Sequence, residues 1–373
     1  MTAENGRLTQ ARSWLAEQRL DGLVAFNDGQ NSFLDSNAVY VFSGVRPLGR
    51  SAVVVAREGT SALIAEPSFD AERATALSTT RDVVATDDLP DALRGALERT
   101  GLARGNVATV GLSKQSRKLA QQVGALFAMP PRAADTLASH LARVRTKEEL
   151  DATRHATQIA EQGYARLLAA ARPGMREFEL AADIYTFMKS LGAEDNFLLM
   201  SASQHNLAVR AAGRRVLAEG DIILGEITPC YRGQFVQICR TAVLGMTTPL
   251  QHEKYALLQR AMRRGMDAAV PGATVAQATD AMNDVLRGAG YGDYCRPPYM
   301  RVRGHGLGIT SDRPGDLDDA SEVVFEEGMV FVMHPNQYIP DTGYLMCGET
   351  VMISHNGAIS LSERDAELDM VAA

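Results

Sequence analysis

Residues 301 to 350 constrain this chain more than any other stretch. They run Arg-Val-Arg-Gly-His305-Gly-Leu-Gly, later Glu-Glu-Gly-Met-Val-Phe-Val-Met-His334-Pro-Asn-Gln-Tyr, and finally Gly-Tyr-Leu-Met-Cys-Gly348-Glu349-Thr. Two histidines and a carboxylate thus stand at the edges of apolar, strand-like runs, each beside a glycine or proline that lets backbone or ligand approach closely. Such a stretch lines a pocket. A histidine bracketed by glycines has little helical or core reason to be there, so His305 is read as functional. His334, before Pro335 at the end of an apolar strand, is either a satisfied structural histidine or an acid/base or ligand group. Glu349 is either a site carboxylate or a solvated charge at a strand end.

An earlier segment reads as the partner of this one. Gly220-Asp-Ile-Ile-Leu-Gly-Glu226-Ile-Thr-Pro-Cys230-Tyr-Arg-Gly-Gln-Phe-Val-Gln237-Ile-Cys239-Arg-Thr-Ala-Val is a hairpin of two β-rich arms around a Tyr-Arg-Gly turn. It carries Glu226 on one arm and Gln237 on the other.

The chain has 373 residues, enough for two domains, and its 46% apolar and 22% charged content is ordinary for a globular protein. A net charge of −7 without a basic run argues against nucleic acid as a partner. The N-terminus lacks the charged-then-apolar pattern of a signal, and no window is apolar for long enough to span a membrane, so a cytoplasmic protein is expected. Cys230, Cys239, Cys295 and Cys347 are too few and too widely spaced for a disulfide framework. They read as small buried hydrophobes, or, for Cys230, Cys239 and Cys347, as pocket-lining thiols with a histidine nearby.

The spacing predicts a helix over residues 7–20, then strands at 22–26, 51–56, 61–65, 83–85 and 107–111 alternating with helices near 69–77, 89–98 and 117–127. This is an α/β domain over residues 1–140, with the boundary near 137–147. Residues 141–373 form the second domain. Thr146 with Glu149 is a capping box opening a long helix. Phe197 to Arg210 is a strand running into a polar loop that holds His205, and 250–270 and 274–288 read as amphipathic helices.

The order of these pieces resembles the pita-bread superfamily of methionine aminopeptidase, aminopeptidase P, prolidase and creatinase, well over roughly residues 140 to 360 and loosely before that. The resemblance implies an α/β N-terminal domain followed by an α+β catalytic domain with a curved antiparallel sheet covered by helices. In the metallopeptidases of that superfamily five side chains hold two metal ions. Laid on this chain, those positions are Glu226, Gln237, His305, His334 and Gly348, of which only His305 is kept as such. Two divalent cations about 3.5–4 Å apart repel unless anionic oxygens lie between them, and neither Gln237 nor Gly348 supplies one. The run Leu-Gly-Glu226-Ile-Thr-Pro-Cys-Tyr-Arg resembles the hairpin of ectoine hydrolase, so within the superfamily the chain looks most like the creatinase and ectoine hydrolase branch. After the His305 motif, where metallopeptidases often carry another His-Glu, this chain has Asp312-Arg313.

The expectation from that likeness is a homodimeric, metal-independent hydrolase without cofactor, cleaving a C–N bond of amidine, amide or urea type in a small polar molecule. His305, His334 or His205 would move protons, with Glu226 and Glu349 orienting water or a cationic nitrogen. Arg210, Arg303, Gln237 and Tyr344 would bind substrate. Arg50 would reach the partner's site, since creatinase lends an arginine from the neighbouring subunit at a similar position. A mononuclear metal-dependent hydrolase or lyase on His305, His334 and Glu226 or Gln237 and a non-catalytic peptidase-like binding module remain as alternatives.

Overall fold

The computed structural model describes residues 6–30, 33–34, 37–309 and 315–372. The chain divides into two compact units, Met1–Arg143 and Val144–Ala373.

The first unit is built on a six-stranded sheet of β1 (Gly22–Asn27), β2 (Ser51–Ala56), β3 (Ser61–Ala65), β4 (Asp82–Ala85), β5 (Val107–Val110) and β6 (Arg132–Ala133). Their spatial order is β4-β3-β2-β1-β5-β6, with β1 antiparallel to β2 and parallel to β5. Strands β1 and β2 are buried along their whole length, which is why they read as unbroken apolar runs rather than alternating ones. Helices Leu89–Arg99 and Arg117–Gly124 set Leu93, Leu97, Leu119 and Val123 against Val24, Val54 and Ile64 of the sheet. A short helix, Ala38–Ser43, was not predicted; it is six residues long and capped by the Asn37 side chain.

In the second unit, β7 (Asp195–Ser203), β8 (Ile222–Tyr231), the two-residue β9 (Gln234–Phe235) and β10 (Ile238–Leu244) belong to one sheet. Strands β11 (Gly304–Gly306) and β12 (Val330–Met333) belong to a second, and β13 (Gln337–Ile339) pairs with β14 (Gly343–Leu345) as a separate ribbon. The second sheet continues as β11-β12-β15-β16 through β15 (Glu349–Ser354) and β16 (Gly357–Ser360), while β17 (Leu368–Val371) returns to flank β10. The β8–β9 turn places Arg232 and Gly233 at φ of 45° and 72°, the positive pair that a tight two-residue hairpin requires.

Strand β8 alternates between two cores. Ile222 and Leu224 point to the cluster that holds helices Pro249–Ala268 and Val275–Gly288 against Phe331, Val351 and Ile353. Ile223 and Ile227 point to the opposite cluster, with Ile159, Leu167 and Ile184. The period of two therefore puts Glu226 on the face of Ile222 and Leu224, towards the histidine-bearing sheet. Helix Lys147–Ala170, which covers the other face, starts at the predicted capping box: the Thr146 hydroxyl accepts from Glu149 N and the Glu149 carboxylate accepts from Thr146 N.

The two sheets are joined along a seam, where the Thr350 hydroxyl donates to the Gln237 carbonyl at 2.8 Å and accepts from Gln237 N at 3.0 Å. Cys239 in β10 and Gly348, just before β15, exchange a pair of backbone hydrogen bonds of 3.0 Å each. A Cβ at position 348 would stand 2.5 Å from the Cβ of His334 and 3.0 Å from that of Cys239. Only glycine allows the approach. No helix among the described residues is long and apolar enough to cross a membrane. Gly348→Ala is expected to lower unfolding stability by roughly 1–3 kcal/mol through overpacking, measured by urea denaturation; an unchanged midpoint would contradict this tight seam.

Candidate functional site

Three candidate side chains stand on the strands that flank the seam. Glu226 lies directly across the hairpin from Cys239, so both side chains share one face. His305 sits in the three-residue β11 opposite Val332, and His334 follows β12 directly. Gly304 lets β11 lie this close, since at its φ of 147° a Cβ would fall 2.0 Å from the Val332 carbonyl oxygen. The imidazoles of His305 and His334 meet edge to face, 5.6 Å between centroids.

The electrostatics differ sharply between these groups. Burial raises the Glu226 carboxyl from its ordinary 4.5 to about 7, and among the described residues it receives no hydrogen bond or ion pair to offset that. His334 is pushed the other way, to about 3, by burial first and then by the neighbouring His305 and Arg303, so it stays neutral. Its Nδ1 is buried without a hydrogen-bond partner. An orphaned ring nitrogen of this kind marks a place where a ligand or water belongs.

Other candidates are placed differently. Glu349 is 2% exposed and ion-pairs with Arg240 at 2.8 Å, while its other oxygen accepts from the Ser362 hydroxyl. Burial raises its carboxyl against the pull of Arg240 and Ser362. The carboxylate is turned into the interior, Oε2 on Ser362 and Oε1 facing Arg240 in an ion pair but without a hydrogen bond of its own. Arg303 is fully buried and donates to Asn283 Oδ1, the Asn336 carbonyl and Gln337 Oε1 at 2.7, 3.0 and 2.9 Å. That fork is occupied, so Arg303 braces the turn after His334 instead of gripping a carboxylate. Gln237, also fully buried, faces Thr228 and Cys239.

Tyr344 stands by Glu226 and Cys239, its phenol raised by burial first and then by those two groups. His205 is exposed and its Nε2 lies 3.2 Å from the Tyr338 hydroxyl. Arg210 is exposed on the loop beyond. Arg50 belongs to the first unit, where its Nε pairs with Glu66 at 2.7 Å. Asp312 and Arg313 fall outside the described residues. The thiols of Cys239 and Cys347 are both raised by burial, Cys347 to about 12, so neither is a poised nucleophile. Sequence reasoning passed over Arg240, although a charge inside the buried strand β10 demands a buried partner such as Glu349.

The two-ion ligand set implied by the superfamily does not fit these residues. Gln237 is neutral, and the space for a side chain at position 348 is already filled by His334. Among the described residues no three His, Cys, Asp or Glu side chains are grouped so as to hold a metal ion.

Residues 151–359 match the family described as metallopeptidase family M24. The Xaa-Pro dipeptidase of Pyrococcus furiosus is 29% identical over 364 residues, covering 94% of this chain and 99% of the relative. The solved structure of the prolidase from Pyrococcus furiosus superposes with a TM-score of 0.79 at 25% identity, covering 95% and 99% of the two chains. The X-Pro aminopeptidase of Thermotoga maritima shares the fold, with a TM-score of 0.85 at 20% identity over 98% and 99%. The N-terminal α/β domain followed by a pita-bread domain is the fold of these proteins.

These relatives correct the functional expectation. They are named for acting on peptide bonds, in a family of metallopeptidases, which overturns the creatinase-like assignment, the non-peptide C–N substrate and the metal-independent chemistry inferred from the changed ligand positions. The chain belongs to metallopeptidase family M24.

Proposed function

We propose that this protein is a hydrolase of peptide bonds in short peptides, of the dipeptidase type, with Glu226 as the group that handles the proton. The observation that carries the reading is the Glu226 carboxyl, unpartnered and raised to about 7, in a chain whose relatives are named dipeptidases. A base with a pKa near the working pH is present in its acceptor form and still returns the proton easily. Glu226 would take a proton from the attacking water and deliver it to the departing amide nitrogen. The neutral His334, with its free Nδ1, would hydrogen-bond the substrate, and His305 beside it would complete the polar edge of the pocket. His205 and Arg210 are exposed nearby in sequence to receive a terminal charge of the peptide. The homodimer, with Arg50 reaching a partner's site, belongs to the same reading; the Arg50 side chain keeps 47% exposure despite its pairing with Glu66.

Two outcomes follow. Xaa-Pro dipeptides should be cleaved, with kcat/KM rising through a pKa near 7, and Glu226→Gln should lose about 10²-fold or more. A panel of short peptides left intact, or full activity in the variant, would refute the reading.

The second concerns stability. Below pH 4.5 the carboxyl is protonated both folded and unfolded, whereas between 4.5 and 7 only the unfolded chain releases the proton, so the wild type loses stability as pH rises through that window. Glu226→Gln should therefore be the more stable protein at pH 8, by on the order of 2 kcal/mol, and the gap should close by pH 4. Thermal melts across this range decide it; a wild type more stable than the variant at pH 8 would mean the carboxylate is compensated by a partner.

A further inference from the structure

The β13–β14 ribbon carries an aromatic wall away from the catalytic carboxyl. Tyr338 in β13 is directly opposite Tyr344 in β14, so the two rings lie on one face, and Tyr344 is the ring beside Glu226. From Tyr338 the wall continues outward. Tyr299 stacks on it with centroids 5.5 Å apart and planes at 25°, and Tyr294 stands 4.9 Å from Tyr299 and 5.8 Å from Tyr338. His205 closes one edge, 5.7 Å from the Tyr338 ring.

The backbone that carries Tyr294 is braced from below. Gln337 Nε2 donates to the Tyr294 carbonyl at 2.8 Å, and the same Gln337 side chain accepts from the buried Arg303 at 2.9 Å. Core packing does not account for the cluster, because Tyr299 remains 38% exposed and His205 is exposed as well. A partly solvated stack of phenols on the ribbon that also carries Tyr344 is a surface for a flat or bulky apolar group. The loop that brings Tyr294 and Tyr299 sets Arg296 and Arg301 against Asp293, and the turn of the ribbon adds Asp341, so the charge around the rings is mixed and favours neither sign.

We propose that Tyr294, Tyr299 and Tyr338 form a specificity subsite that takes an uncharged aromatic or bulky apolar side chain of the substrate. The proposal rests on the peptide-hydrolase reading for its substrate class. It does not depend on turnover.

The test compares Phe-Pro with Gly-Pro, by kcat/KM where the peptides are cleaved and by calorimetric Kd where they are not. The wild type should favour Phe-Pro by about 3- to 10-fold. Tyr299→Ala should bring that ratio close to one, and Tyr299→Phe, which keeps the ring, should retain it. A purely structural role would weaken both peptides alike and leave the ratio unchanged in Tyr299→Ala. Should Tyr299→Ala not fold, Tyr299→Leu and the wild-type ratio itself carry the decision. Equal preference in the wild type, no binding of Phe-Pro at millimolar concentration, or an unchanged ratio in the variant would overturn the subsite. Selective binding without cleavage would sink the hydrolase reading and uphold the subsite.

Discussion

Two backbone hydrogen bonds between Cys239 and Gly348 hold this site together. They join the hairpin that carries Glu226 to the sheet that carries His305 and His334, which otherwise belong to separate ladders. Everything at the seam is adapted to that contact. Arg240 donates to the Gly348 carbonyl at 2.7 Å and pairs with Glu349, so a buried charge pair ties the same two strands a second time. A buried pair of this kind adds little net stability over apolar packing, but removing one partner strands a charge, which fixes the register of the two sheets. Arg303 does the equivalent work on the other side, clamping Asn336 and Gln337 so that the turn after His334 has one conformation.

The close contact also decides what the pocket can contain. His334 packs against Gly348 so tightly that no side chain fits at 348, and a neutral Gln237 stands where an anion would be needed. What remains is a carboxyl that burial keeps easily protonated and an imidazole that burial keeps neutral. The chain is a member of a metallopeptidase family whose paired-ion ligand set does not fit its own residues.

Much of the fold was legible in the sequence because burial leaves simple patterns. The unbroken apolar runs of β1 and β2, the Tyr-Arg-Gly turn and the Thr146–Glu149 cap are all local signals, and each corresponds to an observed element. His305 and His334 were legible for the same reason, as polar residues set in glycine and proline among apolar strands. Pairings across the fold were not. Nothing local to Glu349 or Arg303 reveals that Arg240 and Asn283 already occupy them, and the tyrosine wall joins residues far apart in the chain. Function was hidden for a related reason: five local ligand positions point away from the metallopeptidases, while the similarity that points to them is spread over 364 residues.

The seam leaves no room for a paired-ion centre, and metal stoichiometry tests this most directly. Purified protein incubated with manganese, cobalt or zinc and freed of excess by gel filtration should retain fewer than two ions per chain by elemental analysis. Two tightly held equivalents per chain would contradict it.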